Sequence, residues 1–227
     1  MTDKNKDLQY ELLPDDYNDK DISFKIIVIG NSGVGKSSLT NKATRNIFEE
    51  NYHATVGFEF FTFNIKIHGK VISLQIWDTC GQELFRSLIT NFYRNTSLAI
   101  IVYSVTSEES FQDIDMWLKE LRTHANPDVK VVLIGNKIDL EKDRKISKEE
   151  GENFSKINKF DKFVETSAKT GINTLNTFVE IAFLLYEDYL KFKDEENKSS
   201  KNSSFRTMES KGSKLVKKKR KKKSGCC

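Results

Sequence analysis

The octapeptide Gly30-Asn31-Ser32-Gly33-Val34-Gly35-Lys36-Ser37 constrains this 227-residue chain more than any other stretch, because of what flanks it. Ahead of it, residues 24–29 are apolar and largely β-branched and read as a buried strand. Behind it, residues 38–45 contain neither Pro nor Gly and continue as a helix. Strand, glycine loop and helix together match G-x-x-x-x-G-K-[ST], a loop whose backbone N–H groups turn inward while the helix N-terminus adds its positive dipole end. Such a concavity takes an anion. The loop formed by Ser32, Gly33, Val34, Gly35, Lys36, Ser37 and Ser38 is expected to cradle phosphates, with the Lys36 ammonium on the terminal ones and the Ser37 hydroxyl on Mg²⁺. The plainer alternative is a glycine-rich turn that holds nothing. Taken alone, the loop implies a nucleoside triphosphate and leaves base and reaction open.

Charge is spread unevenly. The net charge is +4, but residues 1–23 carry seven acidic and three basic side chains, whereas residues 201–227 carry eleven basic and one acidic. No apolar run approaches the ~18 residues that a membrane span needs, and the acidic N-terminus does not read as a signal segment. Two of the three cysteines are Cys226 and Cys227, so a disulfide framework is not expected and a reducing compartment is.

Taken in order, residues 1–22 lack apolar periodicity and read as a flexible lead-in, with room for a short helix around residues 8–13. Residues 48–57 read as an exposed loop. Residues 58–67 and 70–77 read as a hairpin about His68-Gly69. A strand at 98–103, a helix at 108–124 and a strand at 129–134 follow. A helix at 148–158, a strand at 163–165 and a last helix at 173–191 complete the pattern. Alternating strands and helices predict an α/β fold of three layers. Its sheet is mostly parallel and six-stranded, with one antiparallel edge hairpin and helices on both faces. Ligands of such folds sit at the carboxyl ends of the strands, where every polar motif here falls. Three regions result: an acidic extension (1–22), a nucleotide-binding domain (23–191) and a basic tail (192–227) too poor in apolar residues to fold on its own.

Two constellations specify the chemistry. Asp78, ending a strand in Ile76-Trp77-Asp78-Thr79-Cys80-Gly81-Gln82-Glu83, suits a carboxylate that serves Mg²⁺. Gly81 offers an unhindered N–H to a terminal phosphate, and Gln82 can align a water with it. Asn136-Lys137-Ile138-Asp139 selects the base: the Asp139 carboxylate accepts from the ring N–H and exocyclic amine of guanine, a donor pair adenine lacks. The Asn136 amide would bridge loops, the Lys137 stem would lie against the ring, and the Ala168 N–H in Ser167-Ala168-Lys169 would meet the guanine carbonyl.

With G-x-x-x-x-G-K-S, W-D-T-x-G-Q-E, N-K-x-D and S-A-K in this order, residues 23–191 resemble the Ras superfamily of small GTPases, and within it the Rab proteins. Rab-like details are Thr55-Val56-Gly57-Phe58-Glu59-Phe60, the Trp77 octet and the paired terminal cysteines. The resemblance implies a P-loop GTPase fold, GTP and GDP as ligands with Mg²⁺, and slow hydrolysis catalysed through Gln82 and Lys36. It makes Thr55 a further Mg²⁺ ligand beside Ser37 and Asp78. It sets Phe48 edge-on to the base, Tyr52 over the phosphates, and Phe60, Trp77 and Phe92 in an effector-facing triad; periodicity alone would read these aromatics as core. Three positions depart from the family pattern: Cys80 for alanine, Phe92-Tyr93-Arg94-Asn95-Thr96 for Y-Y-R-G-A, and Ser104 for aspartate.

Residues 217–223 are seven consecutive bases. Such a block can be a nuclear-localisation or nucleic-acid patch; beside Cys226-Cys227 it reads better as a lipid-anchored arm, since one chain binds a bilayer only marginally and two signals hold it. By resemblance both cysteines are geranylgeranylated with an escort protein. The implied switch is a monomer that binds no nucleic acid beyond its nucleotide and works with effectors, an exchange factor, a GTPase-activating protein and a GDP-dissociation inhibitor. Its place is the cytoplasmic face of an endomembrane or the plasma membrane, with a soluble pool, in vesicle trafficking. A scaffold that holds GTP and scarcely turns it over is the rival reading, disfavoured by Gln82.

Overall fold

The computed structural model describes residues 9–50, 57–79 and 92–212, with side chains through 195. It divides into two units, residues 1–185 and 186–227. In the first, a seven-stranded sheet has the order β1-β3-β4-β2-β5-β6-β7. The strands are β1 (Tyr10–Leu13), β2 (Ile22–Ile29), β3 (Phe58–Ile67), β4 (Lys70–Thr79), β5 (Leu98–Ser104), β6 (Lys130–Asn136) and β7 (Lys162–Glu165). β2, β4, β5, β6 and β7 run parallel, while β3 is antiparallel to both β4 and β1. The helices are α1 (Lys36–Arg45), α2 (Glu108–Gln112), α3 (Ile114–His124), α4 (Lys148–Ile157) and α5 (Thr174–Gly212).

The central parallel strands are apolar over most of their length, as in residues 26–29, 98–103 and 131–134, because both faces are covered there. Ile27, Ile29, Ala99, Ile101 and Leu133 pack with Ile114, Trp117, Leu118 and Leu121 of α3. Ile26, Val28, Ile100 and Val132 alternate with these along their strands, so they point to the other face, and they too are fully buried. On that side Phe178 of α5 meets Phe63 with ring centroids 6.0 Å apart.

Four expectations change. The lead-in is not flexible throughout, and its short helix is instead strand β1. Tyr10–Leu13 pairs with Asn64–Ile67 of β3, and the Tyr10 ring meets Phe183 edge-on at 6.4 Å. Pro14, which lacks a ladder donor, follows it, and Asn64 Nδ2 closes the turn by donating to Pro14 O at 2.7 Å. The sheet therefore has seven strands rather than six, and the β3–β4 hairpin lies inside an edge that β1 occupies. Its turn is as expected, with His68 and Gly69 both at positive φ.

The helix expected over 108–124 is two helices broken at Asp113, which is the C-cap of α2 and the N-cap of α3. In the second unit α5 continues past the expected boundary at 191 as far as Gly212. Nothing from Leu175 to Lys211 is Pro or Gly, so no residue interrupts the backbone ladder.

Candidate nucleotide-binding site

The phosphate loop leaves β2 at the point where strand order reverses between β4 and β5, the place where open α/β sheets hold ligands. Two of its glycines are required by close approach. Gly30, at φ 139°, passes so near β5 that a Cβ would lie 2.2 Å from Val102 O. Gly35, the N-cap of α1 at φ 96°, would place a Cβ 2.5 Å from Asn136 Nδ2. Lys36 is only 6% exposed, and its Nζ donates to the carbonyl oxygens of Gly30 and Asn31, each at 2.8 Å. The ammonium is thus folded back across the loop at the mouth of the anion cradle.

Pairing of Val28 with Asp78 brings the end of β4 beside the loop. Thr79 Oγ1 locks this approach by donating to Val28 O at 2.8 Å. The Ser37 hydroxyl donates to Asp78 Oδ2, while Asp78 Oδ1 is buried without a hydrogen-bond partner among the described residues. Burial pushes the Asp78 carboxyl up to about 6, against the Ser37 hydrogen bond and the Lys36 charge, which pull it down. An orphaned buried carboxylate oxygen beside a hydroxyl suits a hard cation that takes few carboxylates and keeps water and phosphate ligands, as Mg²⁺ does. No group of three or more His, Cys, Asp or Glu among the described residues could hold a metal.

At the ends of β6 and β7, Asn136 is 1% exposed and uses its amide in three directions. Nδ2 donates to Val34 O at 3.0 Å, while Oδ1 accepts from Thr166 Oγ1 at 3.1 Å and from the Ala168 N–H at 3.2 Å. The expected bridge is therefore a three-way clamp between the phosphate loop, its own strand and the segment after β7. The Ala168 N–H, expected to meet the guanine carbonyl, donates to Asn136 Oδ1. The buried Ser167 donates to Asp139 Oδ1 at 2.6 Å, aiming an exposed carboxylate outward. Lys137 adopts φ 72°, and its half-buried amine is held below the usual lysine range by burial, with Asp139 opposing. Its Cε comes within 4.0 Å of where a Gly35 Cβ would be, so its stem overlies the phosphate loop. Lys169 pairs with Glu50 at 3.4 Å, and Phe48 is half-buried.

Beside the site, Trp77 rings lie 5.1 Å from Phe60 and 5.2 Å from Phe92. Trp77 and Phe92 rest on the core, whereas Phe60 is 44% exposed, so two rings of the expected triad are foundation and one is surface. Phe58 joins it, 4.8 Å from Phe92, and is 51% exposed. Sequence reasoning passed over Phe58, although a strand's period of two sets it on the same face as Phe60. It also passed over the Thr166 hydroxyl, for which no local signal existed.

The family departures that can be described are absorbed locally. Asn95 takes φ 58°, a conformation that Asn tolerates better than other non-glycine residues. Ser104 Oγ accepts from the Thr106 N–H at 3.3 Å and holds the turn after β5. Tyr52, Thr55, Cys80, Gly81, Gln82, residues 217–223, Cys226 and Cys227 lie outside the described residues.

This sheet order, with a glycine loop joining β2 to α1, is that of a P-loop GTPase fold. A family model described as "Ras family" matches residues 25–187. The chain is 44% identical over 163 residues to Ras-related protein Rab-11C of Dictyostelium discoideum, covering 72% of each. It is 43% identical over 170 residues to Ras-related protein RABA1i of Arabidopsis thaliana, covering 74% of this chain and 77% of that one. It is 41% identical over 170 residues to Ras-related protein Rab-30 of Homo sapiens, covering 75% and 83%. The chain belongs to the Rab family of small GTPases, in the Ras superfamily. It is an enzyme that hydrolyses GTP, and GTP and GDP are its ligands.

Proposed function

We propose that this protein is a membrane-associated GTP/GDP switch of vesicle trafficking. The observation that carries it is the Asn136 clamp, which ties the phosphate cradle to the base-reading segment, so that one nucleotide must satisfy both. Asp139 accepts the two guanine donors, with Ser167 holding its carboxylate. The Ala168 N–H turns partly from Asn136 to the guanine carbonyl, and the Lys137 stem and Phe48 flank the ring. Ser32, Gly33, Val34, Gly35 and Ser38 line the phosphates, Tyr52 closes over them, and Lys169 and Glu50 brace the rim.

Bound Mg²⁺, held by Ser37, Thr55 and Asp78, would neutralise charge on the terminal phosphates. Lys36, whose ammonium is held at the loop by Gly30 O and Asn31 O, would direct it to the transferred group. Gln82 orients the attacking water, and the Gly81 N–H donates to the terminal phosphate. The chain offers no covalent nucleophile, so catalysis is positioning and charge stabilisation, completed in trans by a GTPase-activating protein.

Gln82→Leu tests the reading. Nucleotide binding should be retained while hydrolysis stimulated by an activating protein falls, from an enhancement that reaches roughly 10⁵-fold in related systems. Equal stimulated single-turnover rates for parent and variant would remove Gln82 from the mechanism.

Effectors would engage Phe60, Trp77 and Phe92, with the regulators of the Rab cycle acting on the neighbouring loops. Among the described residues no helix is long and apolar enough to cross a membrane. Attachment through prenylated Cys226 and Cys227 beside the basic block at 217–223 would place the switch on a cytoplasmic membrane face, each base adding about 1 kcal/mol near anionic lipid before screening. In flotation with anionic vesicles at physiological salt, the prenylated protein should rise and a Cys226→Ser, Cys227→Ser variant should stay in the soluble fraction. Equal flotation of both would exclude the lipid anchor.

A further inference from the structure

The second residue of the phosphate loop does not face the anion cradle with its side chain. Asn31 Nδ2 donates to Asp113 Oδ2 at 2.6 Å, and Asn31 Oδ1 accepts from the indole N–H of Trp117 at 2.8 Å. Trp117 is 1% exposed and belongs to the core packed between α3 and the sheet. Asp113 stands at the N-cap of α3, where an aspartate usually caps its own helix. Here it makes no side-chain cap bond, and its carboxylate goes to Asn31 instead. Asn31 is also one of the two residues whose carbonyl oxygens hold the Lys36 ammonium. A continuous line of polar contacts thus runs from the core helix, through one amide side chain, to the phosphate-facing cation.

We propose that Asn31, held by Trp117 and Asp113, is a positioning residue that sets the Lys36 ammonium for the nucleotide's terminal phosphates. Both ends of the amide are used, so neither an acid nor an alanine can replace it without loss. Aspartate at 31 could still accept from Trp117 but would face the Asp113 carboxylate with no donor between them. The break between α2 and α3 serves the same end, because it puts Asp113 where its carboxylate reaches the loop. The inference rests on Lys36 being the phosphate-binding ammonium.

The test is the release rate of GDP from the full-length protein, with single-turnover hydrolysis of preloaded GTP measured alongside. Asn31→Asp should speed GDP release at least about tenfold, the scale of one hydrogen bond to a charged group, and should slow hydrolysis. Adding Asp113→Asn exchanges donor and acceptor, restores the bond, and should return both rates to within about twofold of the parent, as coupled neighbours do. Trp117→Phe keeps the ring, loses the N–H, and should also speed release.

A lowered melting temperature with unchanged release, or no recovery in the double variant, would overturn the proposal. Lys36→Ala in the same assay separates the two levels. If it releases GDP quickly and Asn31→Asp does not, only the Asn31 strut is wrong; if Lys36→Ala matches the parent, the reading of Lys36 is wrong.

Discussion

Asp139→Asn is expected to lower affinity for GTP and GDP by a factor of about 10⁴, the scale on which a site built for specific hydrogen bonds rejects a mismatched partner. The variant should gain affinity for xanthine nucleotides. The structure sharpens the reason. Ser167 is buried and donates to Asp139 Oδ1, so the side chain is pinned at one oxygen and presents its remaining lone pairs to the site. In the variant the pinned atom remains an oxygen and the outward one becomes an amide nitrogen. A donor then meets the exocyclic amine of guanine, where the carbonyl of xanthine would accept, while the ring N–H common to both bases still needs the remaining oxygen. Asp139 is exposed, so folding stability should change little. Titrations with GDP and XDP check both halves; full GDP affinity without any gain for XDP would remove Asp139 from base recognition.

Asn136→Ala should have the second-largest effect, and unlike Asp139→Asn it should cost stability as well. Truncation leaves Val34 O, the Thr166 hydroxyl and the Ala168 N–H without their partner in a region closed to water. Each buried group left unpaired costs ~1–3 kcal/mol, and the three losses share one side chain, so they will not simply add. Because the clamp spans the phosphate loop and the base segment, part of that cost must fall on the nucleotide complex. We expect GDP release to quicken by about 10²-fold, equivalent to about 2.8 kcal/mol at 1.4 kcal/mol per decade, together with a lower melting temperature. Release at the parental rate would mean that the two halves of the site are independent.

What could be read in the amino-acid sequence was chemistry that is local to a few consecutive residues. A loop between a buried strand and a helix needs glycine where the backbone turns to positive φ, and Gly30 and Gly35 mark such points. Apolar runs of strand length announced the covered parallel strands, and the polar motifs at their ends announced the ligand. His68-Gly69 specified a tight hairpin because few residue pairs accept positive φ at both positions.

Tertiary structure decided whatever depended on a partner far along the chain. Tyr10–Leu13 is too short to carry a period, and it became a strand only because the free edge of β3, some fifty residues away, offered a ladder. The helix expected over 108–124 broke at Asp113, whose carboxylate bonds to an amide eighty-two positions earlier, a competition no local propensity contains. The aromatic triad could be named from spacing, but whether its rings were core or surface depended on what covered them: Trp77 and Phe92 rest on the core, while Phe58 and Phe60 stand out. Residue types and their spacing determined that this chain would bind a guanine nucleotide. Folding decided which side chains hold the binding groups in place, because hydrogen bonds between distant loops form only once the sheet has brought those loops together.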